Sequence, residues 1–229
     1  MNPTRQGRRI DAVLFDFDGT LFDTTVAICG AFNETLVERG HARVPEEQIS
    51  AMIGRPLREM FVELSPAAAR TDEDIEACFT AYRKHFLPLS VSCSSLMPTA
   101  RETVETLVER GIALAVVTTR TADGARHILR GHGLDQAFSQ VIGLEHVEQT
   151  KPHPEPVLAA LERLEVSARQ AVMVGDTPDD VAAGRGAGTI TVGVATGPYD
   201  ASALRDADLV VPVLSDFLPY IGPGRVMLG

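Results

Sequence analysis

Cysteine is scarce in this chain. Only Cys29, Cys78 and Cys93 occur among its 229 residues, and no two of them form a C-x-x-C pair. An odd number of cysteines at such wide spacing argues against a disulfide framework and against a structural zinc site. We therefore expect a cytoplasmic protein, because thiols stay reduced in that compartment.

Positive charge is also in short supply. The chain has 21 lysines and arginines against 31 aspartates and glutamates, which gives a formal net charge of −10. Proteins that bind nucleic acids or anionic membrane surfaces need clustered cations. Neither a nucleic acid nor a membrane is therefore expected as a partner.

Long apolar runs are missing as well. The basic first ten residues, MNPTRQGRRI, precede an apolar run that is short and that Asp16 interrupts. We expect this segment to be neither a signal peptide nor a membrane-spanning helix. With 45% hydrophobic and 23% charged residues, the composition is that of an ordinary soluble globular protein.

The chain does contain a series of short apolar segments that predict buried parallel strands. Four are clear, namely DAVLFDF, IALAVVTT, AVMVGD and TITVGVA, and two are weaker, namely QVIG and DLVVP. Helical patterns over residues 99–110, 121–132, 154–164 and 178–187 lie between them. This alternation predicts an α/β fold, a doubly wound, Rossmann-like and mostly parallel sheet with helices on both faces.

The stretch 25–96 departs from this alternation because it holds only helical patterns. Its apolar residues recur at helical spacing in four groups: Ile28, Phe32 and Leu36; Ile49, Met52 and Ile53; Leu57, Met60, Phe61 and Leu64; Ile75, Phe79, Tyr82 and Phe86. Thr71 and Asp74 open the last group in a capping-box arrangement. We predict a helical domain over residues 25–96, inserted into a discontinuous core of residues 1–24 and 97–229.

Polar residues follow the predicted strands at their carboxyl ends, where open α/β sheets bind ligands. The segment VLFDFDGTLFDT, residues 13–24, places Asp16 and Asp18 after the first strand, and two like charges so close together need compensation. The other polar residues at this edge are Thr118, Thr119, Lys151, Asp176, Asp179 and Asp180. Carboxylates, hydroxyls and one lysine together predict a site for a divalent cation and a phosphoryl group, and the cation and Lys151 would offset the repulsion.

These residues resemble, in order, the four motifs of the haloacid dehalogenase-like superfamily of hydrolases. DFDGT, residues 16–20, is similar to the first motif and Thr118 to the second; Lys151 with Pro152 is similar to the third and GDTPDD, residues 175–180, to the fourth. The resemblance covers most of the chain and includes the helical insertion, which it implies to be a cap domain. It is to the subgroup that contains phosphoglycolate phosphatases and β-phosphoglucomutases.

The resemblance implies a role for each residue of the core site. Asp16 would be the nucleophile that forms an aspartyl-phosphate, and Asp18 would act first as general acid and then as general base. Gly19 would let the backbone turn tightly beside the phosphate. The phosphoryl oxygens would be bound by Thr118, Thr119 and Lys151. A Mg²⁺ ion would be bound by Asp16, by the backbone carbonyl of Asp18, by Asp176, and by Asp180 directly or through water.

Two positions depart from the family's pattern. Many relatives have Asn where Thr119 stands, so this position serves either through its backbone N–H or through a side chain that differs here. Relatives also often have Pro-Gly where this chain has Pro98 and Thr99. We expect Thr99 to cap the helix that follows it.

Substrate recognition is expected from the helical insertion. Arg55 is the main candidate, since an arginine at a helix start could bind a carboxylate or a second phosphate bidentately. Weaker candidates, for which a solvated helix surface is the simpler interpretation, are Arg58, Arg83 and Lys84. Arg120, beside the second motif, is a further candidate at the entrance.

The sequence therefore predicts a Mg²⁺-dependent phosphatase that hydrolyses a small phosphomonoester, phosphoglycolate-like or a sugar phosphate, through an aspartyl-phosphate. Its expected partner is a small phosphorylated metabolite, and the expected assembly is a monomer or a homodimer. A phosphomutase of the β-phosphoglucomutase type and a pyrophosphatase share the same motifs. A phosphoaspartate receiver-like switch is the alternative that is not an enzyme.

Overall fold

The structure is a computed structural model, and it describes residues 9–222 and 225–226. The basic amino-terminal segment, for which we expected neither a signal peptide nor a membrane span, falls largely outside these residues. The strands, in chain order, are β1 (Ala12–Phe15), β2 (Phe22–Asp23), β3 (Ser95–Leu96), β4 (Ala113–Val117), β5 (Gln140–Ile142), β6 (Ala171–Gly175), β7 (Ile190–Val194), β8 (Leu209–Val211), β9 (Ile221–Gly222) and β10 (Arg225–Val226).

The helices alternate with these strands over most of the chain. The α-helices, in chain order, are α1 (Thr25–Glu38), α2 (Glu46–Ser50), α3 (Leu57–Leu64), α4 (Asp72–Ser92), α5 (Ala100–Glu109), α6 (Ala122–Gly131), α7 (Glu155–Leu164) and α8 (Pro178–Ala187). Short 3₁₀ helices cover Pro66–Ala68, Asp135–Ala137, Leu144–His146, Ala168–Gln170 and Leu214–Tyr220. No helix among the residues that the structure describes is both long enough and apolar enough to cross a membrane.

Six strands form one parallel sheet in the order β5-β4-β1-β6-β7-β8. Both weaker sequence candidates, β5 and β8, belong to it, at its two edges. The predicted α/β, Rossmann-like fold is confirmed. Phe15 pairs with Val116 of β4 on one side and with Val174 of β6 on the other, so β1, β4 and β6 end at nearly the same level. This register brings the polar residues that follow these three strands to one edge.

Both faces of the sheet are buried, which explains why its strands read as continuous apolar runs. On one face Leu14 and Met173 belong to a core cluster with Val157 and Leu161 of α7 and with Ala183 of α8. On the other face Phe15 lies against two rings, those of Phe138 and Phe217, each with its centre 6.3 Å away.

The chain divides into two compact units, one of residues 1–22 and 96–229 and the other Asp23–Ser95. We call them the core unit and the helical unit. The predicted boundaries, after residue 24 and after residue 96, lie within two residues of these divisions. Inside the helical unit, the Phe32 and Phe61 rings stack at 4.4 Å, and the Phe61 ring meets the edge of Tyr82.

Three details differ from the sequence-based expectations. The apolar pattern over Ile49, Met52 and Ile53 predicts one helix, but α2 ends at Ser50 and turns follow, because Gly54 has a φ of +103° and Pro56 disfavours a helical residue before it. The first strand ends at Phe15 and not at Phe17. The reason is a turn that begins at Phe17, in which the N–H groups of Leu21 and Phe22 both donate to the Phe17 carbonyl.

Thr99 is the third difference, since it does not cap α5 with its side chain. Its φ of +63° places it in the left-handed region, whereas capping residues normally have extended backbone. Its hydroxyl oxygen instead accepts a hydrogen bond from the Ser215 N–H at 3.0 Å. The left-handed conformation accounts for the glycine that relatives often carry here.

The capping box at the start of α4 gives a test of the helical unit. The Asp74 N–H donates to the Thr71 hydroxyl at 3.1 Å, and the Thr71 N–H donates to the Asp74 carboxylate at 3.2 Å. Thr71→Ala should lower the free energy of unfolding by about 1 kcal/mol, because it leaves a helix N–H without its partner. Urea unfolding followed by circular dichroism measures this loss.

Thr80→Ala is the matched control. Thr80 is exposed in the middle of the same helix and donates only to the Glu76 carbonyl one turn earlier. Alanine is the better helix former at such a position, so stability should stay equal or rise slightly. Equal losses in the two variants would show that the capping box contributes nothing of its own.

Candidate active site

The Lys151 ammonium lies at the centre of the site. It donates to Asp16 Oδ1 at 2.5 Å and to Asp180 Oδ1 at 2.6 Å, and all three side chains are at least 95% buried. Asp16 is held directly after β1, where its N–H donates to the Val174 carbonyl at 2.9 Å. One lysine therefore joins the residues that follow β1 and β6.

Asp176 lies beside this group in a tightly enclosed position. The Thr20 hydroxyl donates to Asp176 Oδ1 at 2.6 Å. Gly19 and Gly197 approach the other carboxylate oxygen so closely that a Cβ atom at either position would overlap it. Gly19 also has a φ of +87°, which favours glycine for a second reason. The Asp176 carboxylate is thus fixed by its neighbours on several sides.

Asp16, Asp176 and Asp180 form a cluster in which one carboxylate oxygen of each lies within 4.8 Å of the others. Burial and the neighbouring Asp180 carboxylate raise the pKa of Asp16 to about 7. Burial, followed by the Asp16 and Asp180 charges, raises the pKa of Asp176 well above its ordinary value. Burial alone would lower the pKa of Lys151, but Asp16 and Asp180 outweigh it and raise that pKa.

Burial and an excess of negative charge together account for these shifts, since a single ammonium cannot compensate three buried carboxylates. A hard divalent cation that prefers carboxylate oxygens would supply the missing positive charge, and the donor set fits Mg²⁺ on that ground. The Asp18 carboxylate is not part of the cluster.

Asp18 has a cation of its own. Arg120 donates to it bidentately, from Nε to Oδ2 at 2.5 Å and from Nη2 to Oδ1 at 2.7 Å. The sequence suggested that Lys151 and a metal ion compensate both acids of the first motif. In the structure Lys151 compensates Asp16, and Arg120 compensates Asp18.

Thr118 is buried at the end of β4, and its hydroxyl oxygen accepts a hydrogen bond from the Arg120 N–H at 3.1 Å. The cap of α6 is Thr121, which accepts from the Gly124 N–H, so Thr118 does not serve as a helix cap. Thr119 is half-buried next to it. The second motif therefore lies at the same edge as Asp16 and Asp18.

Asp180 makes two sets of contacts, one at the start of α8 and one with the buried cluster. Its Oδ2 accepts from the Thr177 N–H at 3.0 Å and from the Thr177 hydroxyl at 2.6 Å, while its Oδ1 accepts from Lys151. The residue thus forms a capping box at the start of α8 and also belongs to the buried cluster. Asp179, next to it, is exposed.

The candidate recognition residues of the helical unit lie on its surface. Arg55 donates to Glu59 and Glu63, with Nη1 2.8 Å from Glu63 Oε2. The other three are also exposed, and two of them form ion pairs: Arg58 with Asp72, and Lys84 with Glu38. Arg55 is therefore already neutralised by two carboxylates within its own unit.

Sequence reasoning missed the part that three residues play in shaping the site. Thr20 was noted only as part of the first motif, although its hydroxyl orients Asp176. Gly197 was not noted at all, and neither was Thr196, whose hydroxyl donates to the Gly19 carbonyl at 2.7 Å. The signal was available, because Thr196 and Gly197 follow the carboxyl end of β7, which pairs with β6.

Comparison with known proteins shows the family of the chain. The family described as haloacid dehalogenase-like hydrolase matches residues 13–194. Pyrophosphatase PpaX of Anoxybacillus flavithermus is 36% identical over 215 residues, which cover 93% of this chain and 97% of the relative. PpaX of Bacillus pumilus is 35% identical with the same coverage.

Solved structures give the same result for the fold. A structure described as a predicted phosphoglycolate phosphatase from Haemophilus somnus has a TM-score of 0.82 and 25% identity, and the match covers 92% of this chain and 97% of that one. β-Phosphoglucomutase from Clostridium difficile has a TM-score of 0.78 over 90% of this chain and 92% of that one, at 19% identity, which shows the fold alone. The chain belongs to the haloacid dehalogenase-like hydrolase family, and the prediction of an enzyme of the phosphatase class is confirmed.

Proposed function

We propose that the protein is a Mg²⁺-dependent phosphatase that hydrolyses a small phosphorylated metabolite through an aspartyl-phosphate on Asp16. The observation that carries this proposal is the buried cluster in which Lys151 bridges Asp16 and Asp180 beside Asp176. Such a cluster needs a cation, and it offers a nucleophilic carboxylate directly beside a phosphate-binding lysine.

In the first step a carboxylate oxygen of Asp16 attacks the phosphorus atom. The new O–P bond forms as the bond between phosphorus and the leaving-group oxygen breaks, and Asp18 gives its proton to that oxygen. Lys151 contacts Asp16, and Thr118 follows β4, which pairs with β1, so both would neutralise and hold the phosphoryl oxygens.

In the second step water attacks the phosphorus of the aspartyl-phosphate. Asp18 takes a proton from this water, the bond between phosphorus and Asp16 breaks, and free phosphate leaves. Both aspartates end the cycle in the form in which they began it. Asp18 therefore has to reach first the leaving group and then the attacking water.

The metal site in this proposal consists of Asp16, Asp176 and the backbone carbonyl of Asp18, with Asp180 beside them. Mg²⁺ at that position would neutralise charge that develops on the phosphoryl oxygens. Thr20, Gly19 and Gly197 keep the Asp176 carboxylate in one orientation, which would suit a cation that demands well-positioned oxygen ligands, as Mg²⁺ does.

A pyrophosphatase is the second candidate, and the name of the curated relatives favours it. The same residues would then transfer a phosphoryl group whose leaving group is itself a phosphate. Analysis of the products separates these hydrolases from a phosphomutase, which would return the phosphoryl group to a second hydroxyl. The receiver-like switch is not retained, because the chain belongs to a hydrolase family.

We propose the same partner, compartment and assembly that the sequence predicts, on the basis of net charge and cysteine content. The net charge of −10 favours a small metabolite over a nucleic acid or a membrane surface as the partner. The three free cysteines are compatible with a cytoplasmic enzyme, and a monomer or a homodimer remains our proposal for its assembly.

Asp16→Asn should abolish turnover, with a loss on the order of 10³-fold or more, because an amide is a far weaker nucleophile than a carboxylate. Phosphate release from a panel of phosphorylated metabolites measures turnover, and acid-quenched enzyme with ³²P-labelled substrate should carry label in the wild type only. Asp123→Asn, an exposed first-turn aspartate of α6, is the control. Normal turnover or normal labelling in Asp16→Asn would reject the mechanism.

Mg²⁺ should stabilise the protein more in alkaline than in acidic solution. The raised pKa values of Asp16 and Asp176 mean that the metal-free folded state holds protons more tightly than the unfolded state. The contribution of Asp16 to folding stability is therefore fully present below the ordinary aspartate pKa of 3.8 and is lost as the pH rises through about 7, and the contribution of Asp176 has the same sign. Above that range the charged carboxylates repel each other, and Mg²⁺ binds them best.

Thermal unfolding with and without MgCl₂, at about pH 5 and about pH 8, measures this effect. The gain in Tm should be larger at the higher pH and absent in Asp176→Asn. NaCl at equal ionic strength controls for screening. A gain that is equal at both pH values would contradict a metal site built from these carboxylates.

Gly197→Ala should lower Mg²⁺-dependent activity about tenfold or more, because its methyl group would displace the Asp176 carboxylate from its position. Gly186→Ala is the matched control, since Gly186 is exposed on α8 and its Cβ would come no closer than 3.2 Å to another atom. Steady-state kinetics at several Mg²⁺ concentrations should show the loss only for Gly197→Ala. Equal activities would mean that the contact with Asp176 is unimportant.

A further inference from the structure

Arg120 is a nearly buried, charged side chain of the core site to which the proposed reaction gives no task. Its guanidinium holds Asp18 with two hydrogen bonds, and the two side chains are only 13% and 8% exposed. The guanidinium carbon also lies 5.8 Å from the centre of the Phe17 ring, which stacks on Phe22. The Arg120 side chain is therefore held by an ion pair and by an aromatic ring.

The contact has a consequence for Asp18. Both of its carboxylate oxygens accept hydrogen bonds from Arg120, so the carboxylate cannot turn towards a leaving group or water while both bonds are kept. The ion pair therefore has to open before Asp18 can act. If it opened without a replacement, the nearly buried guanidinium would lose the carboxylate that compensates its charge, which is strongly unfavourable.

The backbone of Arg120 is fixed, so only the side chain can move. Its N–H donates to the Thr118 hydroxyl at 3.1 Å, and its carbonyl accepts from the Leu144 N–H at 2.9 Å. When the ion pair opens, the guanidinium therefore exchanges Asp18 for another partner that lies close to the Asp18 carboxylate. An anion is the partner that would compensate the charge of the guanidinium as Asp18 does.

We propose that Arg120 selects substrates that carry a second anionic group on the leaving-group side, and that this group replaces Asp18 as the partner of the guanidinium. This inference rests on the proposed function. Lys151 is the cation beside the nucleophile Asp16, whereas Arg120 is the cation beside Asp18, the residue that protonates the leaving group. A phosphate or a carboxylate of the leaving group presents two oxygens, which match the fork of a guanidinium.

In this arrangement the substrate's own second anion frees Asp18. A phosphomonoester without such an anion leaves Asp18 bound to Arg120 and reacts slowly, even though its phosphoryl group fits beside Asp16. Arg120 is then a specificity-determining residue, which acts on the substrate directly and on catalysis through Asp18. The second anion that Arg120 binds in this proposal is an oxyanion, either a carboxylate or a phosphate.

A kinetic experiment compares substrates that differ in this group alone. Phosphoglycolate and ethyl phosphate have leaving groups with and without a carboxylate, and pyrophosphate tests a second phosphate. In Arg120→Gln, kcat/KM for phosphoglycolate or pyrophosphate should fall about tenfold or more, while kcat/KM for ethyl phosphate stays equal or rises. Arg126→Gln, which breaks the half-buried ion pair with Asp135 in the same unit, should leave all three values unchanged.

The failures of the two proposals can be told apart in this experiment. Wild-type enzyme that releases no phosphate from any phosphorylated compound would reject the proposed phosphatase. Wild-type activity with the same fractional loss on all three substrates in Arg120→Gln would overturn the role of Arg120 and leave the phosphatase intact.

A binding experiment tests the exchange of partners without turnover. Isothermal titration compares methylenediphosphonate, which has two joined phosphonates, with orthophosphate. In Asp18→Asn the competing carboxylate is gone, so the ratio of the two affinities should rise about tenfold over that of the wild type. In the double variant Asp18→Asn/Arg120→Gln this gain should disappear.

The double variant removes both charges of the ion pair together, which protects its folding, and thermal unfolding verifies this. If the affinity ratio is the same in Asp18→Asn and in the double variant, the guanidinium does not bind the second anion and the proposal is overturned. A ratio that rises in Asp18→Asn and falls back in the double variant supports it.

Discussion

The Lys151 ammonium, buried between Asp16 and Asp180, is the interaction on which the site depends. An uncompensated carboxylate at this depth would be protonated or would destabilise the fold, and three of them lie within 4.8 Å of one another. One lysine reduces the charge of this cluster without cancelling it. The remaining negative charge is what suits the site to a divalent cation and, together with that cation, to a phosphoryl group.

The two acids of the first motif have different charged partners although they are only two residues apart. Asp16 faces Lys151, and Asp18 faces Arg120, so each has a cation of its own. The turn that begins at Phe17 makes this separation possible, because it ends the strand and its alternation of side chains. Two carboxylates that differ in environment can take different roles in one reaction, as the proposed mechanism requires of Asp16 and Asp18.

Much of this arrangement could be predicted from the sequence by simple physical rules. The apolar runs of β1, β4, β6 and β7 predict a parallel sheet, and the ends of parallel strands meet at one edge. That rule alone placed Asp16, Thr118 and Asp176 together. Local chemistry was equally readable in the capping box of Thr71 and Asp74, since it involves residues only three positions apart.

What the sequence by itself determined were the features that depend on local spacing: the strands, the helices, and the residue types at the sheet edge. The tertiary structure decided which charges meet. Arg120 finds Asp18 across 102 positions, and Gly197 lies against Asp176 although it belongs to a different loop. Such contacts depend on the direction of individual side chains and on atomic distances, which periodicity does not encode. Arg55 is a further example. Its position in the sequence made it a candidate for substrate binding, but in the structure it forms surface ion pairs with Glu59 and Glu63, which again depend on the direction of its side chain.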